Sequence, residues 1–426
     1  MRANLSPRRQ GRSIRLPGLA VGIGLALTLS ACGGSSTGTD TGAKAGASLD
    51  PALFPGKAAS GTPVRIGFIN PEGGPAVNQP ENREAAEAAV KYANENLGGI
   101  GGHPVQLVPC KSKEDPASAR DCANQMVEQK VAAVVLATSG FGDLMVPIVT
   151  KAGIPWTSQS ANGQAELVTP NSFAWSGGFV GVIASWAKYS KDNGIKNFTV
   201  YAVDVPSATQ GIQTLGQGLF KKAGVKLTLQ PIPPGTPDAS PQVQAGLRGK
   251  PDAIGVVGDA TICTSVLKPL GVAGYKGKKL LIQPCVGQEV LSGLDANALG
   301  NAVLTSPNDI TSDDPEAVLY REIMKKYAPS TNATGYAVVG YQGVLGLIRN
   351  TSGLTGEATS AAIIAAIKSS TGQKMPAGHG IVMTCDGKQL PPLTAPCSGS
   401  VVATVMDGNK VGTTATVIDP SELFKP

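Results

Sequence analysis

From residue 64 onward, short apolar runs alternate with amphipathic stretches, and this rhythm constrains the chain more than any other feature. "VRIGFIN" (64–70), "HPVQLVPCK", "VAAVVLATS" and "IPWTSQS" read as strands. Between them, "ENREAAEAAVKYANENLGG" and "DPASARDCANQMVEQK" carry helical periodicity, and "DLMVPIVTKAG" a shorter helix. Glycines end the first helix, and an aspartate followed by proline opens the second. Strands apolar on both faces need cover on both, so the pattern predicts a parallel sheet between helical layers. The rhythm restarts after residue 178 with the helix "FVGVIASWAKYSKDNG" and the strand "NFTVYAVD". The helix "TQGIQTLGQGLFKKAG" and the strands "VKLTLQPIP", "PDAIGVVGD", "KKLLIQP" and "NAVLTSP" continue it, with the helix "ATICTSVLKPLGVAG" among them. Helices are expected at about 313–328, 335–350 and 358–370. "SVVATVMDGNKVGTTATVI" then forms a hairpin about an Asp-Gly turn. A chain of 426 residues suits two lobes of ordinary size, so the expected class is α/β with two doubly wound parallel-sheet lobes.

The formal net charge of +6 is concentrated at one end. Arg2, Arg8, Arg9, Arg12 and Arg15 stand in residues 1–31 with no acid, which leaves 31 basic against 30 acidic residues elsewhere. Nucleic-acid binding draws on a basic surface that such a balance does not provide. The arginines precede "LPGLAVGIGLALTLSAC", an apolar run short for a membrane span and built like an export signal. "LSAC" at 29–32 resembles the lipobox of bacterial lipoproteins, which makes residues 1–31 a signal peptide and Cys32 the lipidated first residue of the mature chain. The Gly/Ser/Thr-rich stretch that follows, to residue 61, is expected to be a flexible tether. The folded part is thus expected outside the cytoplasm, held at the outer face of the cytoplasmic membrane.

Six further cysteines, an even number in an exported chain, imply disulfides. Spacing favours local pairs, Cys110–Cys122, Cys263–Cys285 and Cys385–Cys397, each within one supersecondary unit. No C-x-x-C occurs, so zinc-ribbon and redox-motif readings lack their spacing. Cys285 follows an apolar strand, a position where a nucleophile is worth weighing; pairing with Cys263 removes that role.

Enzyme signatures are sparse. His103 and His379 are far apart and lie in turn-like contexts that suit structural roles. G-x-S-x-G, H-E-x-x-H and Walker-type loops are absent, and no metal or cofactor is expected. Two strand ends stand out instead. "ATSGFGD" (137–143) and "TSQSANG" (157–163) leave neighbouring strands with hydroxyls, glycines and an amide. Such turns present backbone N–H groups to an anion, or use Ser139 and Ser160 to cap the following helices.

The lipobox, "VRIGFINPEGGP", "NLGGIGGHPVQLV", "DPASARDC" after Cys110, and "AGIPWTSQSA" together resemble the type I periplasmic binding-protein fold. Among its families the pattern is most similar to the leucine/isoleucine/valine-binding proteins of ABC importers, over roughly residues 62–420. The resemblance implies two lobes joined by three crossovers near 177–180, 303–308 and 378–384. Residues 62–178 and 305–380 would form the N-terminal lobe, and 179–304 with 381–426 the C-terminal lobe. It further implies a monomeric, non-enzymatic clamp that closes on a small solute and presents it to a membrane permease. A ligand-sensing lipoprotein using the same clamp is the alternative.

Carried over residue by residue, Ser139 matches the seat of a ligand α-carboxylate, with Gly140 and Phe141 beside it. Ser160, Ala161 and Asn162 form the adjacent contact, Asn162 standing where the family usually has a threonine, and Asn78 is a further expected contact. In the second lobe the aromatic positions fall at Ala208, with Thr209 beside it, and near Ala260 or Thr261. The ammonium-binding acid falls near Cys285. A buried ammonium without a counter-charge is costly, so this departure argues against an ordinary α-amino acid unless Asp204 or Asp259 supplies the charge. Each aspartate has helix capping as its other role. The expected ligand is a small, amino-acid-like polar metabolite bearing a carboxylate or an amide.

Overall fold

The computed structural model describes residues 51–75 and 77–425. The expected signal peptide, the expected lipidation at Cys32 and most of the expected tether lie outside the described residues. Strands β1 (Val64–Asn70), β2 (Val105–Lys111), β3 (Ala133–Leu136), β4 (Trp156–Ser160) and β5 (Ser172–Ser176) form one parallel sheet in the order β2-β1-β3-β4-β5. Of these, β5 is not among the strands that the apolar pattern predicts. "SFAWS" is too short and too serine-rich to stand out, yet all its residues are buried.

The expected helix after β2 forms at Pro116–Glu128, where the Asp115 carboxylate accepts from the Ala117 and Ser118 N–H groups. Its apolar side and that of Gly142–Lys151 cover one face of the sheet, burying Met126, Val146 and Trp156 together. The other face is covered by Pro80–Asn96 and, from much later in the chain, Ala337–Asn350. These two helices approach so closely that a Cβ on Gly340 would lie 1.8 Å from the Asn82 carbonyl oxygen. The obstacle is backbone and cannot swing aside. Gly340→Ala is therefore expected to cost about 2 kcal/mol by overpacking, read as a lowered urea midpoint. Gly353→Ala is the control, because nothing lies within 4 Å of its added methyl.

The second sheet comprises β6 (Asn197–Val203), β7 (Lys226–Ile232), β8 (Ala253–Val257), β9 (Lys278–Leu281) and β10 (Ala302–Ser306), all parallel. It runs β7-β6-β8-β9-β10 and is closed by an antiparallel hairpin, Val401–Asp407 and Lys410–Ile418, as the Asp-Gly turn predicts. Gly408 takes the turn with a φ of +56°. Trp186 lies against β8 where Gly255 leaves room, and donates its indole N–H to the Thr305 hydroxyl at 2.8 Å.

The chain passes between the sheets after β5, after β10 and again before the hairpin. The last passage differs from expectation. Ile381, Met383, Cys385 and Cys397 are buried in the core of the first sheet, not the second. Residues 395–397 also extend β5, with the Ala174 N–H donating to the Ala395 carbonyl and the Cys397 N–H to the Ala174 carbonyl. Apolar residues at every second position from 381 to 385 keep this segment on the first core, and the crossing follows Cys397. All three disulfides expected from spacing are present. Among the described residues no helix is long and apolar enough to cross a membrane.

Candidate functional site

The turns leaving β3 and β4 share one sheet edge, because Leu136 pairs with Ser158. Ser139 is 3 % exposed, and its hydroxyl oxygen accepts from the Phe141 N–H at 3.0 Å. Asn162 reaches the Thr138 hydroxyl across the two turns at 3.5 Å. Ser139, Gly140, Phe141, Ser160, Ala161 and Asn162 thus come together. Several N–H groups of this edge are already answered from within. Gly140 donates to the Glu114 carboxylate at 3.0 Å. Asn162 and Gly163 both donate to Glu166 at 3.1 Å, and Ala165 donates to Asp143 at 2.7 Å. Glu166 is fully buried and also accepts from the Trp156 indole at 3.2 Å. Burial pushes its carboxyl up to about 7, with the neighbouring Asp143 charge adding to the rise, against the hydrogen bonds that hold it down.

The other expected residues are more scattered. Asn78 folds back to accept from the Gly73 N–H at 2.8 Å. Thr209 gives its hydroxyl proton to the Val205 carbonyl one turn back, and Asp204 is exposed beyond β6. Asp259 caps helix Ala260–Val272 by accepting from the Ile262 N–H at 2.9 Å, and it also lines the main cleft.

That cleft has a cavity of about 750 Å³. On the side of the first sheet it is bounded by Glu81, at the start of the helix after β1, and by Asn332, Thr334 and Tyr336. Facing them are Asp259, beyond β8, and the segment Gln283–Glu289, beyond β9. Asn308 and Asp309, in the passage after β10, form its base. The walls therefore come from the carboxyl edges of both sheets, where open α/β folds bind ligands. Asp259 alone among the expected ligand contacts lines it.

The cleft is acidic. Glu81, Asp259, Glu289 and Asp309 stand against Lys410. Tyr336 lines the same cleft: burial raises its hydroxyl, and the Glu289 and Glu81 charges raise it further. Burial would lift the Asp309 carboxyl, but hydrogen bonds from Ser312, Thr311 and His379 hold it below the ordinary range. His379 approaches Asp309 at 2.8 Å, so this histidine ties two passages of the chain together. His103 likewise serves a turn, against the Thr62 carbonyl at 3.2 Å. Cys285 is buried and bonded to Cys263, which fixes the Gln283–Glu289 wall to helix Ala260–Val272. Glu289 stands in the cavity wall four positions after Cys285. The sequence signal for Tyr336 is a turn-rich "NATGY" ahead of an apolar helix; nothing local connects it to Glu289.

A family model described as periplasmic binding protein matches residues 63–393, well over half of the chain. The chain belongs to the periplasmic binding protein family. It is a binding protein and not an enzyme. No curated protein sequence matches this periplasmic binding protein. Solved structures share its fold at low identity. An ABC transporter substrate-binding protein from Sphaerobacter thermophilus is 21 % identical, with a TM-score of 0.67 over 84 % of this chain and 97 % of that one. The branched-chain amino acid transporter substrate-binding protein from Streptococcus pneumoniae, in complex with isoleucine, is also 21 % identical, with a TM-score of 0.61 over 84 % and 99 %. A fatty acid ABC transporter substrate-binding protein from Thermomonospora curvata is 16 % identical, with a TM-score of 0.63 over 86 % and 94 %. The fold is common to chains named for very different solutes.

Proposed function

We propose that this chain is the lipid-anchored, extracytoplasmic capture subunit of an ABC importer. It binds a small, amino-acid-like polar solute, bearing a carboxylate or an amide, between two lobes that close upon it. The observation that carries this reading is the cleft of about 750 Å³ framed by the carboxyl edges of both sheets and floored by a passage between them. A solute touching both walls holds them together, which favours the closed form by the difference in contacts alone. A polar solute fits the walls, which carry carboxylates, amides and hydroxyls.

The test is a thermal-shift screen of the purified protein over amino acids, short carboxylates, amides and polyamines. A ligand that binds only the folded state raises its melting temperature. At least one of these classes is expected to give a saturable shift; no shift from any would sink the reading. For the compound found, Ser139→Ala is expected to weaken binding about tenfold, the worth of one hydrogen bond at ~1.4 kcal/mol. Titration calorimetry measures it, and unchanged affinity would remove Ser139 from the site.

A further inference from the structure

The carboxylates that line the main cleft are not equally engaged. Asp309 is surrounded by donors from Thr311, Ser312 and His379, and Asp259 accepts from the Ile262 N–H. Glu81 and Glu289 differ from both, since neither side chain takes part in a hydrogen bond or an ion pair among the described residues. They stand on facing walls, Glu81 at the start of helix Pro80–Asn96 and Glu289 in the short helix Gln288–Leu291. Their fields overlap, because the charges of both raise the Tyr336 hydroxyl in the same cleft. Among the described lining residues, Lys410 alone is basic.

We infer that the cleft selects solutes of net positive charge, which Glu81 and Glu289 hold from its two facing walls. The inference rests on the clamp reading above and narrows its solute to a basic one, an amine whose positive charge outweighs any carboxylate it carries. The physical reason lies in the closing motion. Like charges brought together across a partly dry gap repel, so a cleft that is empty or holds a neutral solute closes against that repulsion. A cation between the walls replaces the repulsion with two attractions. That difference between the open and closed forms is what shifts the equilibrium toward closure.

Gln283 supplies support of another kind. It lines the same cavity, and its side-chain oxygen is buried with no hydrogen-bond partner among the described residues. A buried acceptor without a donor is unfavourable, and an ammonium group brings donors only. Hydrogen bonding and charge thus ask for the same solute.

Four compounds of one carbon skeleton test this by titration calorimetry. Lysinamide carries two amines and no acid, lysine two amines and an acid, norleucinamide one amine, and norleucine one amine and an acid. Affinity is expected to rise with net charge, lysinamide binding at least tenfold more tightly than norleucinamide and norleucine binding weakest. Added sodium chloride should narrow the lysinamide advantage, because Glu289 is exposed and its attraction is screened. Glu81→Gln and Glu289→Gln should each reduce the lysinamide-to-norleucinamide ratio at least threefold. Both variants should keep the wild-type urea midpoint, since neither carboxylate holds a partner that folding depends on. Norleucine binding as tightly as lysinamide would overturn the inference and leave the clamp reading intact, a solute having bound. An unchanged ratio in both variants would overturn the role given to these two acids. Failure of all four compounds to bind also overturns the inference, and the clamp reading is then decided by the ligand screen alone.

Discussion

Replacing Cys263 and Cys285 together by alanine is expected to cost about 3 kcal/mol of folding stability, as a lowered urea midpoint in the oxidised protein. The bond links positions 22 residues apart, and opening a loop of that length returns its closure entropy to the unfolded chain. Both residues are fully buried, so no solvent contact offsets the loss. The bond also holds two parts of the cleft wall in register, the Asp259 cap of helix Ala260–Val272 and the Gln283–Glu289 segment. Any cleft ligand should therefore bind more weakly to the variant even at temperatures where it remains folded. An unchanged urea midpoint would mean that the packing around these cysteines closes the loop without the bond.

A comparable effect is expected from Glu166, as a dependence on pH. Its folded-state carboxyl is raised from 4.5 to about 7. Below 4.5 both folded and unfolded chains hold the proton, and Glu166 leaves stability unaffected. Between 4.5 and 7 the unfolded chain releases the proton first, so stability falls as pH rises. Above 7 the full cost of the buried charge is present, about 3 kcal/mol, because each tenfold weakening of the acid is worth ~1.4 kcal/mol. Glu166→Gln cannot titrate. Relative to wild type, it should gain stability across that window by about this amount, measured as the difference in urea midpoints at its two ends. An equal difference at both ends would show that Glu166 stays ionised throughout. Because Glu166 holds the Asn162 and Gly163 N–H groups, ligand affinity measured across the same window should change with it.

Features written within a few residues were legible in the sequence. The Asp115–Pro116 helix start, the Asp407–Gly408 hairpin and the three disulfides depend on neighbours in the chain and formed as read. The β3 and β4 turns were legible too, since parallel strands separated by one helix place their carboxyl ends on one edge. The acidic cleft was not. Glu81, Glu289 and Tyr336 come to one cleft only through the folding of three separate segments, and each alone resembles an ordinary surface residue. The third passage is not legible, because Ile381, Met383 and Cys385 alternate as any strand of either lobe might. Only tertiary packing shows which core they enter.

The covering of the first sheet by helix Ala337–Asn350 and residues 381–397 bears on how the chain is made as well as on how it packs. Trp175 in β5 donates to the Gly343 carbonyl, and Tyr320 and Tyr341 complete the same core. During synthesis, β1 to β5 therefore emerge long before the residues that seal them. A fragment ending after β5 would have only helix Pro80–Asn96 to cover one face of its sheet and would leave the rest of that face to water. The N-terminal half is thus no independent folding unit, and it stays unsealed until most of the chain has followed. A polypeptide destined for export gains from that delay, because an unsealed lobe can still be threaded across a membrane.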